Sequence, residues 1–197
     1  AHGAAADLTL RGYAVTLYEL PEFEANLEAI ARKGGILIRR GTDEKFVKIR
    51  HFTTDIREAF AVADCIMPVV PTFAHHRIAE MCSPHVRDGQ SIILNPGSTG
   101  GLFEFMKVFR DRNVTATIDW AETATLPYGA RLVEPGVINV LLDAKAIFFA
   151  AFPATKTDEM LAQFKKMFPA AVKVKNILDT ALNNGNPVSH PTAAILN

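Results

Sequence analysis

The stretch "NNGNPVSHPTAAILN" at residues 183–197 carries a histidine, His190, directly before a proline and after an asparagine-rich turn. Asn183, Asn184, Gly185, Asn186 and Pro187 are turn formers, and Thr192 to Leu196 has the small, apolar character of a starting helix, so the imidazole sits at an element junction. A histidine that titrates near neutrality can pass a proton to a developing alkoxide or amine, as hydride transfer to a carbonyl or imine requires. A helix cap or structural hydrogen bond is the competing reading, and Asp179 is the one obvious carboxylate nearby in sequence. His75 and His76 read as exposed first-turn helix residues, while His2, His51 and His85 have no partners in sequence.

A second signal lies near the start. In "YAVTLYELPEF" the β-favouring run Ala14 to Tyr18 ends in Glu19, followed by Pro21. In a dinucleotide-binding βαβ unit an acid at this place accepts the ribose hydroxyls, while the pyrophosphate rests on the first helix's N-terminus behind a glycine-rich turn. "AHGAAADLTLRG" reads as such a helix, with Ala5 and Leu8 at helical spacing and Gly12 as its stop. That alignment puts Ala1 at the third fingerprint position, where glycine or alanine stands. The first strand and two glycines are then expected ahead of residue 1. A carboxylate at Glu19 repels a 2′-phosphate, so NAD(H) is favoured over NADP(H), with Arg39 or Arg40 as groups that could counter it if folded back. A surface glutamate after a strand is the bland alternative.

Three strand ends line up as "VVPTF", "LNPGSTGG" and "DWAETATLPYGAR", and open parallel sheets bind ligands at the carboxyl ends of their strands. Pro71, Pro96 and Gly97 let backbone approach a flat ring, and Asn95 and Thr123 could hydrogen-bond a carboxylate or carbonyl, with Glu122 adjacent. Thr72, Ser98 and Thr99 are the other polar residues there, and Ser98 or Thr99 could equally cap the helix that begins near Gly101.

The elements that must position these residues follow from composition and period. With 197 residues and 49% apolar content the chain can bury a core. Twenty-one basic residues balance twenty-one acidic ones, which gives no electrostatic case for a nucleic acid or anionic membrane partner. Cys65 and Cys82 have no metal-ligand spacing and read as buried thiols of a cytoplasmic protein; no metal site is expected, and no apolar run is long enough to span a bilayer. "EFEANLEAIARKGG" is an amphipathic helix closed by Gly34 and Gly35, "ILIRRGTDEKFVKIRHFTTD" two short strands about a polar turn, and Asp55 the cap of a helix running to Ala63.

"DCIMPVVPTFAHHRIAEMCSPHV" and "GQSIILNPGSTGGLFEFMKVFRDRN" each give an apolar strand and a helix, and "VTATIDWAETA" another strand. Continuous apolar strands alternating with helices imply an open, doubly wound parallel sheet of the Rossmann type. "GVINVLLDAKAIFFAAFP" predicts two strands joined at Asp143-Ala144-Lys145 as an antiparallel hairpin on the sheet edge, followed by a helix over 157–168 and the strand "AVKVK". The pattern changes near residue 175. Residues 1–175 are therefore expected to form the NAD(P)-binding α/β domain, and 176–197 to open a helical second domain.

The chain resembles the opine dehydrogenases, the octopine/nopaline dehydrogenase family, especially bacterial members that make N-(1-carboxyethyl)-type amino acids. The likeness runs through "ADLTLRGYAVTLYE", "ADCIMPVVPTFAHHRIAE", "GQSIILNPGSTGGLFEF", "AETATLPYGARLVEPGVINV" and "NILDTALNNGNPVSHPTAAILN"; "ILNPGSTGG" and Asn184 to Pro191 are its most specific parts. The resemblance implies an all-helical second domain opened by the His-Pro segment. It also implies reduction of the imine formed from an amino acid and an α-keto acid, with His190 as acid/base paired to an aspartate beyond Asn197. Asn95, Glu122 and Thr123 would face the substrate, the piece alone would be inactive, and a homodimer is compatible with the family. A ketopantoate, glycerol-phosphate or hydroxy-acid dehydrogenase-like reductase shares the same architecture, and a non-catalytic nucleotide-binding module is the reading from another class.

Overall fold

The structure is a computed structural model and describes residues 1–185 together with Pro191 and Ile195. Its first half runs α1 (His2–Leu10), β1 (Thr16–Tyr18), α2 (Glu24–Lys33), β2 (Ile36–Arg40), β3 (Asp43–Val47), β4 (His51–Thr53), α3 (Ile56–Val62), β5 (Cys65–Ile66), α4 (His75–Cys82) and β6 (Ser91–Leu94). Then follow α5 (Gly101–Asp111), β7 (Asp119–Thr123), β8 (Tyr128–Glu134), β9 (Val137–Asp143), β10 (Ile147–Phe152), α6 (Thr157–Met167), β11 (Ala171–Lys173) and α7 (Ile177–Leu182). The expected stops hold: Gly12 at φ +89° follows α1, and Gly34 at φ +77° closes α2. Asp55 caps α3 by accepting from the Arg57 amide at 2.9 Å, and Asn176 does the same for α7 through Leu178 and Asp179.

Five strands form the main sheet in the order β11-β10-β7-β6-β5. β5, β6 and β7 run parallel, whereas β10 lies antiparallel to β7 and parallel to β11. Alternation along the strands sends side chains to two faces, as a doubly wound sheet requires. Ile93, Ala121, Phe149 and Ala151 meet α1, α2 and α6 on one side; Ile92, Leu94 and Ala150 meet α3, α4 and α5 on the other, with Ile177 of α7. The α/β class and the Rossmann-type layering agree with the sequence reading.

Two features of the sheets differ from it. β9 and β10 are not a hairpin: β9 joins a separate four-stranded sheet, β3-β2-β9-β8, while β10 enters the main sheet between β7 and β11. The turn at Asp143 to Lys145 therefore carries the chain from one sheet to the other. The true hairpin is β8-β9, whose register runs from Tyr128 opposite Asp143 to Glu134 opposite Val137. This second sheet packs on α1, and at Gly3 the approach is close: a Cβ there would stand 3.2 Å from a ring carbon of Tyr128.

β1 and β4 pair in parallel as a two-stranded unit of their own. Among the described residues, β1 and β5 each keep one edge without a strand partner, and both line the same cleft of about 2030 Å³. Leu17, Ile66, Met67, Ile93, Tyr128 and Met160 form an apolar part of its wall. Cys65, on β5, is accordingly half-buried rather than enclosed as a core thiol would be.

Candidate functional site at the strand ends

α1 and β1 bring the first group of candidates together. β1 pairs with β4 up to Tyr18 and Thr53, and the Glu19 amide then donates to the Thr53 carbonyl at 3.2 Å, which fixes Glu19 just past the carboxyl end of the strand. One carboxylate oxygen accepts from the Leu20 amide at 3.2 Å, and the other lies 3.9 Å from Nε2 of His2, in the first turn of α1. His2 is buried, and burial pushes its imidazole down to about 4, so it is neutral at pH 7 and adds no positive charge beside Glu19. The first-turn amides of any helix lack intrahelical acceptors. An anionic acceptor and a set of amide donors therefore share one wall.

The ends of β5, β6 and β7 are sewn together around Asn95. Its amide donates to the Pro68 carbonyl at 3.0 Å, its side-chain nitrogen points to Met67 Sδ at 3.3 Å, and its side-chain oxygen accepts from Thr123 Oγ1 at 3.0 Å. The loop that follows is held from below, since the Gly97 amide donates to the Thr123 carbonyl at 3.0 Å. Ser98 adopts φ +53°, a left-handed conformation that non-glycine residues take at a cost and that is concentrated at functional loops. Neither Ser98 nor Thr99 caps α5: Gly100 precedes the helix with no side-chain cap bond.

The cap of α5 comes instead from Glu122, whose Oε2 accepts from the Leu102 amide at 3.2 Å. Its Oε1 meets Thr180 Oγ1 of α7 at 2.5 Å. Glu122 is 1% exposed, and burial pushes its carboxyl up to about 7 against the opposing pull of those two hydrogen bonds. Gly97 has to be glycine here, because a Cβ would overlap the Glu122 carboxyl group.

Of the residues singled out in sequence, Ala1, Glu19, Pro71 and Asn95 line the one cleft. Pro96, Gly97, Glu122 and Thr123 sit behind it, with Thr123 and Glu122 turned to internal partners. His190 lies outside the described residues. Arg39 pairs with Glu44, and Arg40 with Asp7 and Asp143, so neither is folded onto Glu19. His75, expected to be exposed, is 1% exposed and edge-on to Phe105. Among the cleft residues that the sequence reading did not single out are His2 and Phe73, the latter 89% exposed directly after Pro71-Thr72. The position of Phe73 at a strand exit was the available signal. Among the described residues no group of three His, Cys, Asp or Glu could hold a metal ion, and no helix is long and apolar enough to cross a membrane.

No family model matches the chain. The opine dehydrogenase of Arthrobacter sp. (strain 1C) is 34% identical over 196 residues, which is 100% of this chain and 54% of that protein. An octopine dehydrogenase solved with NADH and L-arginine superposes with a TM-score of 0.79 at 22% identity, covering 95% of this chain and 49% of its own. A 2-dehydropantoate 2-reductase from Geobacter metallireducens GS-15 superposes at 0.69 with 18% identity, covering 90% of this chain and 56% of its own. The two structural likenesses establish a shared fold and do not separate the two chemistries. The sequence likeness to the opine dehydrogenase runs along this whole chain, which spans about half of that relative's length.

Proposed function

We propose that this chain is the nucleotide-binding half of an NAD(P)H-dependent opine-type dehydrogenase, which reduces the imine formed between an amino acid and an α-keto acid. The observation that carries the reading is the convergence of α1, Glu19 and the exits of β5 and β6 on one cleft, in a chain 34% identical over 196 residues to an opine dehydrogenase. The residues fit a nicotinamide dinucleotide. Glu19 is a half-buried acceptor for ribose hydroxyls beside the first-turn amides of α1, with Ala1 small enough for close approach; Pro71 lines the strand-end wall, and Pro96 and Gly97 form the loop behind it. When bound, the dinucleotide supplies the hydride. An acid at Glu19, with Arg39 and Arg40 engaged elsewhere, favours NAD(H) over NADP(H).

In this reading Asn95 presents its amide toward the substrate, and Thr123 fixes the orientation of that amide from behind. Glu122 belongs to the same strand end and acts through its neighbours. His190 holds and delivers the proton to the nitrogen or oxygen that gains charge. Residues 1–175 form the cofactor domain, and the chain leaves it through α7 toward a helical second domain. A single strand lying between β1 and β5 would join the two-stranded and five-stranded sheets into one. The free thiols of Cys65 and Cys82 accord with a reducing cytoplasm.

The test is NADH consumption by the full-length protein given pyruvate or 2-oxoglutarate, with and without a panel of amino acids. Turnover that requires the amino acid supports imine reduction. Turnover with the keto acid alone points to the ketopantoate-like or hydroxy-acid alternative, whose fold the chain also shares.

A further inference from the structure

His2 carries a ring nitrogen that its protein surroundings do not satisfy. Polar atoms inside a fold are nearly always hydrogen-bonded, so an exception draws attention to what it faces. His2 is 7% exposed and lines the cleft, and its buried Nε2 has no hydrogen-bond partner among the described residues. Opposite it, at 3.9 Å, stands Oε2 of Glu19, while Oε1 of the same carboxylate already accepts from the Leu20 amide. The two side chains meet because α1 packs on β1: Ala5, Ala6 and Leu8 share one core with Leu17, which brings the first turn of the helix alongside the exit of the strand.

A separation of 3.9 Å is too long for a direct hydrogen bond, and it suits one oxygen held between the two atoms. An oxygen about 2.8 Å from each would see them about 90° apart, an angle at which a hydroxyl can give its proton on one side and receive a proton on the other. The chemistry of the pair selects what can sit there. Glu19 only accepts, and an imidazole that burial keeps neutral can donate from Nε2. The bridging atom must therefore be donor and acceptor at once, as an alcohol is. An ionised phosphate or carboxylate oxygen has no proton for Glu19, and an ammonium has no lone pair for His2.

We propose that His2 is a binding residue for the dinucleotide: its Nε2–H donates to the 2′-hydroxyl of the adenosine ribose while that hydroxyl donates to Glu19. The proposal rests on the cofactor reading given above and deepens it, since the free 2′-hydroxyl is then recognised from both sides. Phosphorylation of that oxygen removes the proton that Glu19 accepts and sets a second anion against the carboxylate. Neutral His2 offers no charge in return.

The experiment is displacement of NADH from the full-length protein, read by nucleotide fluorescence, with ADP, 2′-deoxy-ADP and 3′-deoxy-ADP as probes. The wild type should prefer ADP to 2′-deoxy-ADP by about 10-fold or more, since two hydrogen bonds are lost with the hydroxyl. His2→Leu should weaken ADP and 3′-deoxy-ADP by about 3–10-fold and leave 2′-deoxy-ADP unchanged. The same loss should persist on a Glu19→Ala background, which separates a contact with the ligand from a role in orienting Glu19. Should the leucine variant fail to fold, His2→Gln and His2→Asn decide: the glutamine amide reaches the place of Nε2 and keeps the preference for ADP, and the shorter asparagine reduces it. A wild type that binds neither NADH nor ADP refutes the cofactor reading and the role of His2 with it. NADH binding that stands while His2→Leu costs both ADP and 2′-deoxy-ADP equally, costs neither, or has no effect once Glu19 is alanine overturns the role of His2 alone.

Discussion

Replacing Glu122 by glutamine removes one ionisation and little else, because the side-chain amide can accept from the Leu102 amide and pair with the Thr180 hydroxyl in place of the carboxyl group. The carboxyl is displaced upward from 4.5 to about 7, chiefly by burial. Its proton is thus held more tightly in the fold than in the unfolded chain. The stabilisation that this proton provides is fully present below about 4.5 and is lost as pH rises through about 7. At about 1.4 kcal/mol per pKa step the whole difference is about 3 kcal/mol. For a domain of this size that corresponds to a melting shift of about 6–12 °C. Urea or thermal unfolding of wild type and Glu122→Gln, side by side at about pH 5 and about pH 8.5, isolates the effect, since all other titrations cancel in the difference. Relative to wild type the variant should gain about 3 kcal/mol between the two conditions. A difference that stays constant with pH, or one that moves toward the wild type as pH rises, would refute the upward shift of the Glu122 carboxyl by burial.

Gly97→Ala places a methyl group into the Glu122 carboxyl, and overpacking of this kind costs about 1–3 kcal/mol, readable by denaturant titration. Glu19→Ala should weaken NADH binding about tenfold while leaving NADPH nearly unchanged, as loss of one charge-assisted hydrogen bond dictates; fluorescence titration of both nucleotides checks it. Phe164→Ala empties a fully buried site stacked on Phe149 at 4.8 Å and should cost about 3–5 kcal/mol in unfolding experiments. His190→Ala should lower kcat about 100-fold or more with NADH affinity intact, and an unchanged kcat would remove it from the acid/base role.

What the sequence made legible was local chemistry. Glu19 after a β-favouring run, Asp55 as a cap, and Gly12 and Gly34 as stops each depend on a few adjacent residues, and the structure places them as expected. The parallel strands were legible because burial on both faces demands continuous apolar runs. Partnership between strands was not. Val137, Ile138 and Val140 are buried while Leu141 and Leu142 are exposed, and the same apolar string would serve either sheet, so the destination of β9 could not be read from period. β8 was hidden because "YGARLVE" is half exposed on a sheet that lies outside the main one.

The candidate site divides in the same way. Asn95 and Glu19 were legible as polar residues at strand exits, and both are found on the cleft. The role of Glu122 was not, because its partner Thr180 is 58 residues away and its other partner is a backbone amide. No pattern of side-chain types marks a carboxyl group that caps one helix and holds another. His75 misled for a related reason: a histidine in the first turn of a helix reads as exposed until α5 is packed over it.

The central proposal is that the full-length protein reduces an imine, and the most direct measurement is its NADH oxidation with a keto acid, scanned with and without amino acids. Oxidation that appears only when an amino acid is present is the predicted result. Oxidation of equal rate with the keto acid alone would contradict it and assign the fold to a carbonyl reductase instead.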